Sequence, residues 1–226
     1  MSTAKPSILT SGFLWSLVAL SGFAVALSLF RILGSQTIRY WFLMWNLFLA
    51  WLPLVFAWLL YKRTTLGLIW SWPNFVLFML WLLFLPNAFY LVSDFIHLQS
   101  TGEIGLMYDI ILFSTYAWCG FILGYCSLYL VHKKAVQRFK GKGHWIVVAS
   151  LFLSGFAIYL GRYLRWNSWD IITNPLGLIF DVSDRIVNPA DHVLTFSATI
   201  LFFIFLSVIY YVLWNAIKAV KNHPKE

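Results

Sequence analysis

The fold class this sequence predicts is an all-α integral membrane protein: six transmembrane helices in one bundle, both termini cytoplasmic, and one long outer loop. Three observations predict it. Apolar runs of about 20 residues, the length that crosses a bilayer core, recur along nearly the whole chain. Charged residues make up 11% of the 226 positions, against roughly 25% in a soluble domain. The charges are also sorted by sign. Every lysine falls on one side of the expected membrane, and every acidic residue except the last, Glu226, falls on the other.

The spans are expected at about 8–30, 40–60, 72–92, 107–131, 145–164 and 192–214, so that residues 1–226 form a single transmembrane bundle. The first run contains Ala24-Val25-Ala26, an A-x-A-like cleavage site, behind a thin positive region at Lys5. It is longer than a signal-peptide core and continues past that site, so an uncleaved helix is expected. The connections after spans two and four carry Lys62, Arg63, Lys133, Lys134, Arg138, Lys140 and Lys142. Lys5 precedes the spans and Lys218, Lys221 and Lys225 follow them. Positive residues are retained in the cytoplasm, which sets both termini there. The outer side carries only Arg31, Arg39, Arg162, Arg165 and Arg185 as basic residues. All five are arginine, the side chain suited to bidentate pairing with carboxylate or phosphate.

The net charge of +8 sits beside apolar spans. It therefore fits topology and anionic lipid headgroups rather than nucleic acid, for which no basic domain remains. Cys119 and Cys126 lie seven residues apart on one helix, too far for an internal disulfide, and read as packing residues. Gly120 and Gly124 form a G-x-x-x-G pattern in the fourth span, which lets two helices approach closely, within the bundle or between protomers of a homodimer. Trp41, Trp70, Trp72 and Trp145 read as interfacial belts. Residues 165–191 form the long outer loop, whose stretch from Trp169 to Phe180 reads as an interfacial or re-entrant piece. Asn188-Pro189-Ala190-Asp191 reads as a helix start, with Asn as N-cap and Pro at the first position. That explains Asp191 structurally, with a ligand role as the alternative.

Two stretches concentrate the chemistry. Asn87, Tyr90, Asp94 and His97 are spaced three, four and three residues apart, one polar stripe on a helix that Pro86 should kink. The stripe is either a helix-packing network or a binding and catalytic face. Gly161-Arg162-Tyr163-Leu164-Arg165-Trp166-Asn167-Ser168-Trp169-Asp170 ends the fifth span, with Arg162 and Arg165 on one face. Two guanidinium groups so placed need anions. These come from Asp94, Asp109 or Asp170 as internal pairs, or from a ligand phosphate or carboxylate; alternatively the arginines snorkel to the interface. The turn after Arg165 would bring Asp170 back toward the mouth of the bundle. Asp109, after Tyr108, opens the fourth span, where the helix dipole alone favours an acid. His97 and His192 are the outer histidines, and His132, His144 and His223 are expected to be solvated at the basic ends.

These residues carry a resemblance. The P-N-A-x-Y-x-x-x-D-x-x-H-L stretch beginning at Pro86, the later Tyr108-Asp109 and the G-R-x-x-R-W-N-S-W-D stretch resemble a family of bacterial polytopic membrane proteins, the domain of unknown function 1361. Phe89 stands where that family is expected to have a second proline, which implies a milder kink. The resemblance implies a bacterial inner or plasma membrane location, carries over Asn87, Tyr90, Asp94, His97, Asp109, Arg162, Arg165, Asn167, Ser168, Trp169 and Asp170, and supplies no activity.

The function expected from these parts is an outer-leaflet site that binds or processes an anionic lipid or lipid-linked phosphate. Arg162 and Arg165 would hold the phosphate, with Asn87, Tyr90, Asn167, Ser168, Trp169 and Asp170 around it. Asp94 and His97 would be the general base and its orienting partner. A metal form would use Asp94, His97 and Asp109, joined by His192, as ligands for Zn²⁺ or Mn²⁺. The alternatives are an assembly or accessory subunit presenting its outer face to a protein partner, and a small-solute transporter. The apolar inner halves of the spans and the lack of an inverted repeat weigh against transport.

Overall fold

The computed structural model describes residues 9–63, 71–100 and 102–222. Lys5, Ile8, Trp70, His223, Lys225 and Glu226 lie outside the described residues, as does the Lys221 side chain. Every element among the described residues is helical. In chain order they are α1 (Ser11–Ser35), α2 (Phe42–Arg63), α3 (Trp72–Ser93), α4 (Leu106–Phe139), α5 (Gly143–Tyr163), α6 (Asp170–Thr173), α7 (Pro175–Val187) and α8 (Val193–Asn222). Short 3₁₀ turns follow at Asp94–His97, Lys140–Lys142 and Pro189–His192. Among the described residues, five helical stretches are long and apolar enough to cross a membrane, one of them the 58 residues Leu106–Tyr163. A straight helix of that length would run about 87 Å at 1.5 Å per residue, nearly three times the bilayer core. Lys140, at φ 51°, ends α4 before α5 begins. The protein is thus an all-helical, multi-pass membrane protein.

The chain divides into two compact units, Met1–Lys140 and Gly141–Glu226. In the first, α2 packs on α3 and α4, α3 packs on α4, and α1 lies along α4. The directions follow from the contacts. The Trp81 indole donates to Ser127 Oγ at 3.3 Å while Gly120 abuts Ala88 and Leu91, so α3 and α4 are antiparallel. Tyr40 meets Phe113 at one end of α2, and the Lys134 ammonium lies 4.4 Å from the Tyr61 ring at the other, so α2 and α4 run parallel. All the acidic residues of this unit therefore gather at one end, with Lys62, Arg63, Lys133 and Lys134 at the opposite one.

Helices in lipid gain little from burying apolar surface against each other, so close packing and internal hydrogen bonds must hold them. Small residues mark places of close approach. Ala24, Ala50, Ala57, Ala88 and Ala135 are buried, while Trp15, Phe30, Leu33 and Trp118 face outward. The G-x-x-x-G pair works inside the unit. A methyl group on Gly120 would collide with the Ala88 carbonyl, and one on Gly124 would stand 2.7 Å from the Phe89 ring. α3 runs on through Pro86 without a break before tightening into the Asp94–His97 turn. The Asn87 amide donates to the Phe84 carbonyl at 3.2 Å, in the turn that Pro86 disturbs.

In the second unit, α5 and α8 are antiparallel. Gly155 lies against the Thr199 carbonyl and the Phe203 amide, and His144 meets Trp214 edge-on. One expectation needs correcting. His132 is not solvated but buried, because α4 continues as a packed helix past the expected end of its span. Asn188 holds the N-cap position of a helical turn, a 3₁₀ one, with Pro189 first and Asp191 in its first turn, although its side chain donates to Asp184 rather than capping. Asn174-Pro175 repeats that signature with the cap bond made: the Asn174 side chain accepts from Gly177 N–H at 3.2 Å.

Gly120→Ala should destabilise the protein by about 1–3 kcal/mol, the range for overpacking a tight contact. Gly12→Ala, with nothing within 4 Å, should be neutral or stabilising. Thermal unfolding of the two variants in detergent checks the contrast.

Candidate functional site

In the first unit the acidic end is organised around Arg31. Arg31 is 1% exposed on the last turns of α1. Nε donates to Asp109 Oδ1 at 2.7 Å and Nη2 to Oδ2 at 3.2 Å, a bidentate clasp on a carboxylate equally buried at the start of α4. Nη2 also donates to Glu103 Oε2 at 3.3 Å, and Nη1 to Ser35 Oγ at 3.4 Å. The Tyr40 ring lies 4.2 Å beneath the guanidinium carbon. Glu103 is closed from outside by Arg39 at 2.9 Å and by the Thr37 hydroxyl at 3.1 Å. Two arginines thus meet two carboxylates, and the cluster is neutral. The hydrogen bond from Arg39, with help from Thr37, holds the Glu103 carboxyl below its ordinary value.

Asp94 stands at the same end, 1% exposed, and accepts from the Asn46 amide of α2 at 3.0 Å. His97 is on the surface, its ring against Phe42, while its carbonyl receives the Tyr40 hydroxyl at 3.5 Å. Tyr40 therefore touches both the arginine cluster and the end of the polar stripe. Asn87 and Tyr90 are half-buried. Among the described residues no three His, Cys, Asp or Glu side chains stand together as a metal site requires. Asp94, His97 and Asp109 are not gathered into a three-ligand set, and both Asp109 oxygens are taken by Arg31.

In the second unit, α5 ends with Arg162 half-buried on its last turn. Arg165 reverses the chain at φ 62°, and the Trp166 amide closes back on the Leu160 carbonyl at 3.2 Å. Glycine is the usual occupant of such a reversal, because a Cβ there is strained. The Arg165 side chain is exposed and makes no hydrogen bond or ion pair among the described residues. Asp170 binds its own turn. It accepts from Asn167 N–H at 2.6 Å and from the Thr173 hydroxyl at 2.9 Å, and the Asn167 N–H keeps its carboxyl below the ordinary range. Ser168 is half-buried beside this turn, and Trp169 is exposed. Asp184 accepts from Asn188 and His192, each at 2.8 Å, and these two bonds lower its carboxyl in that order.

Sequence reasoning offered Asp94, Asp109 and Asp170, or a ligand anion, to Arg162 and Arg165. The structure gives Asp109 to Arg31 and Asp170 to its own backbone. It missed Arg31, Glu103, Tyr40 and Asn46 as parts of the site. A signal for Arg31 was present, since it and Asp109 are opposite charges at span ends on one side of the membrane.

Fold and site define a multi-pass membrane protein that keeps its lysines and its acidic residues at opposite ends of its helices, with arginines among the acids. The chain belongs to the family described as Protein of unknown function (DUF1361), whose model matches residues 45–212. The match includes Asp94, Asp109, Arg162, Arg165 and Asp170, and begins after Arg31, Arg39 and Tyr40. No curated protein and no solved structure matches the chain.

Asp109→Asn should cost up to about 3–5 kcal/mol, because it leaves the buried Arg31 charge with only the longer Glu103 contact as counter-ion. The double variant Arg31→Met with Asp109→Leu should recover most of that loss in the same unfolding assay. Glu103 titrates lower in the fold than in the unfolded chain, so its contribution is complete above the ordinary carboxylate value of 4.5 and is lost as pH falls through the depressed one. Glu103→Gln should flatten the acid limb of the stability profile; an unchanged limb would contradict the pairing.

Proposed function

We propose that the chain crosses a cell membrane six times with both termini in the cytoplasm, and that its acidic, arginine-bearing end recognises a phosphate-bearing lipid, either an anionic headgroup or a lipid-linked phosphate. The orientation rests on the lysines, which mark the retained side. The observation that carries the ligand class is Arg165. A non-glycine residue in the left-handed region costs on the order of 1–3 kcal/mol, and such positions cluster at functional sites. Here that conformation presents an exposed guanidinium beside Trp166 and Trp169, side chains suited to the headgroup level. A guanidinium is the group that takes a phosphate bidentately.

Arg162, three residues earlier on the last turn of α5, is the second cation of this reading. In the first unit, Asp94 and His97, with Asn87 and Tyr90 on the same stripe, are read separately as a candidate acid–base set. Asp109 is then a structural residue, not a metal ligand, because Arg31 already neutralises it. The family supplies no activity against which to weigh this.

Arg165→Gly separates side chain from backbone, since glycine keeps the reversal without strain. The variant should unfold at the same temperature or higher, by about 1 kcal/mol of relieved strain. Its retention of phosphatidylglycerol over phosphatidylcholine, read by native mass spectrometry, should fall several-fold. Undiminished retention would sink the reading and favour an accessory subunit that uses this face for a protein partner.

A further inference from the structure

The helix α7 is amphipathic in the wrong sense for water. At 100° per residue, Leu176, Ile179, Phe180, Ile186 and Val187 share one side, and each is at least 60% exposed. The opposite side carries Asp181 and Arg185, and it is the side turned toward the protein. Arg185 is 8% exposed, donating to the Asp181 carbonyl at 2.6 Å, while the Asp181 carboxylate accepts the Trp166 indole N–H at 2.7 Å. A surface helix of a soluble domain buries its apolar stripe and exposes its charges. α7 does the reverse, which is stable only where the surroundings are apolar.

Length and tethering locate those surroundings. Thirteen residues span about 20 Å, too short to cross a bilayer. α7 is joined to the start of α8 by Asn188 and the Pro189–His192 turn alone, so it stays near that end of the α5–α8 pair. Asn174 caps its first turn. The His192 and Asn188 side chains tie its last turn through Asp184.

We infer that α7 lies within the outer leaflet, its apolar side against lipid acyl chains and its charged side held inward on the protein. The occupant of the exposed side is lipid, not a soluble partner or a second copy. The inversion of the helix carries this, independently of whether Arg165 binds phosphate. Its consequence is a second lipid-facing surface beside the reversal at Arg165, built from a loop rather than a span.

Site-directed spin labelling of the full chain tests it, in vesicles of phosphatidylethanolamine and phosphatidylglycerol. Cys119 and Cys126 are replaced by alanine, and single cysteines are placed at Phe180, at Leu201 as the lipid-facing reference and at Gly141 as the aqueous one. All three positions are exposed, so the labels do not disturb packing. The ratio of collisions with oxygen to collisions with a water-soluble nickel chelate should match Leu201 at position 180 and exceed Gly141 several-fold. A ratio like that of Gly141 places α7 in water and overturns the inference. A label shielded from both reagents means that protein covers the helix, which overturns it equally.

Discussion

The bidentate clasp of Arg31 on Asp109 is the constraint from which the first unit takes its geometry. Both groups are 1% exposed, and two isolated charges so placed would be costly enough to unfold their surroundings. Together they fix the height of α1 against α4, because a slip of one residue separates them. Tyr40 then sets where α2 begins, with its ring on Arg31 and its hydroxyl on the His97 carbonyl. Asn46, a turn and a half further along α2, meets Asp94 at the end of α3. Four helix ends are thus registered by one charge pair and the polar groups around it. Such a pair is a weak source of net stability, since apolar side chains of similar volume often do as well. Its effect is on geometry.

Between the ends, contact between helices depends on small residues. Gly120 and Gly124 admit α3, and Gly155 admits α8. In each case the neighbouring backbone or ring lies where a methyl group would go. Large apolar side chains lie on both sides of the helices: Trp81, Phe89 and Phe113 are buried, while Trp15, Phe30 and Trp118 face outward, where lipid is their solvent. α7 extends the same rule to a loop, and its inward charges explain how a polar segment can rest at a membrane boundary.

Much of this was legible in the sequence, and the rest was not for identifiable reasons. The helix positions follow from apolar run length, and α3 was placed to within a residue. The segregation of lysine from acid predicted the two kinds of helix end. Partner choice was another matter. Arg162 and Arg165 sit in a dense motif and drew Asp94, Asp109 and Asp170 on paper, whereas Arg31 stands alone in an apolar run and offers no motif. Pairing depends on which helices are neighbours, and spacing along one helix does not report that. Asp170 illustrates a second limit: an Asn-Ser-Trp-Asp turn satisfies its own acid locally, so the carboxylate never reaches a distant cation. His132 shows a third, since a helix can outrun the bilayer span and stay packed.

The central claim is that the arginine-bearing end holds a phosphate, and an experimental structure in phosphatidylglycerol nanodiscs tests it most directly. The account predicts headgroup phosphate density within hydrogen-bond distance of the Arg165 guanidinium, absent when phosphatidylcholine replaces the anionic lipid. An Arg165 side chain closed on a protein carboxylate, with no headgroup beside it in either lipid, would contradict the account.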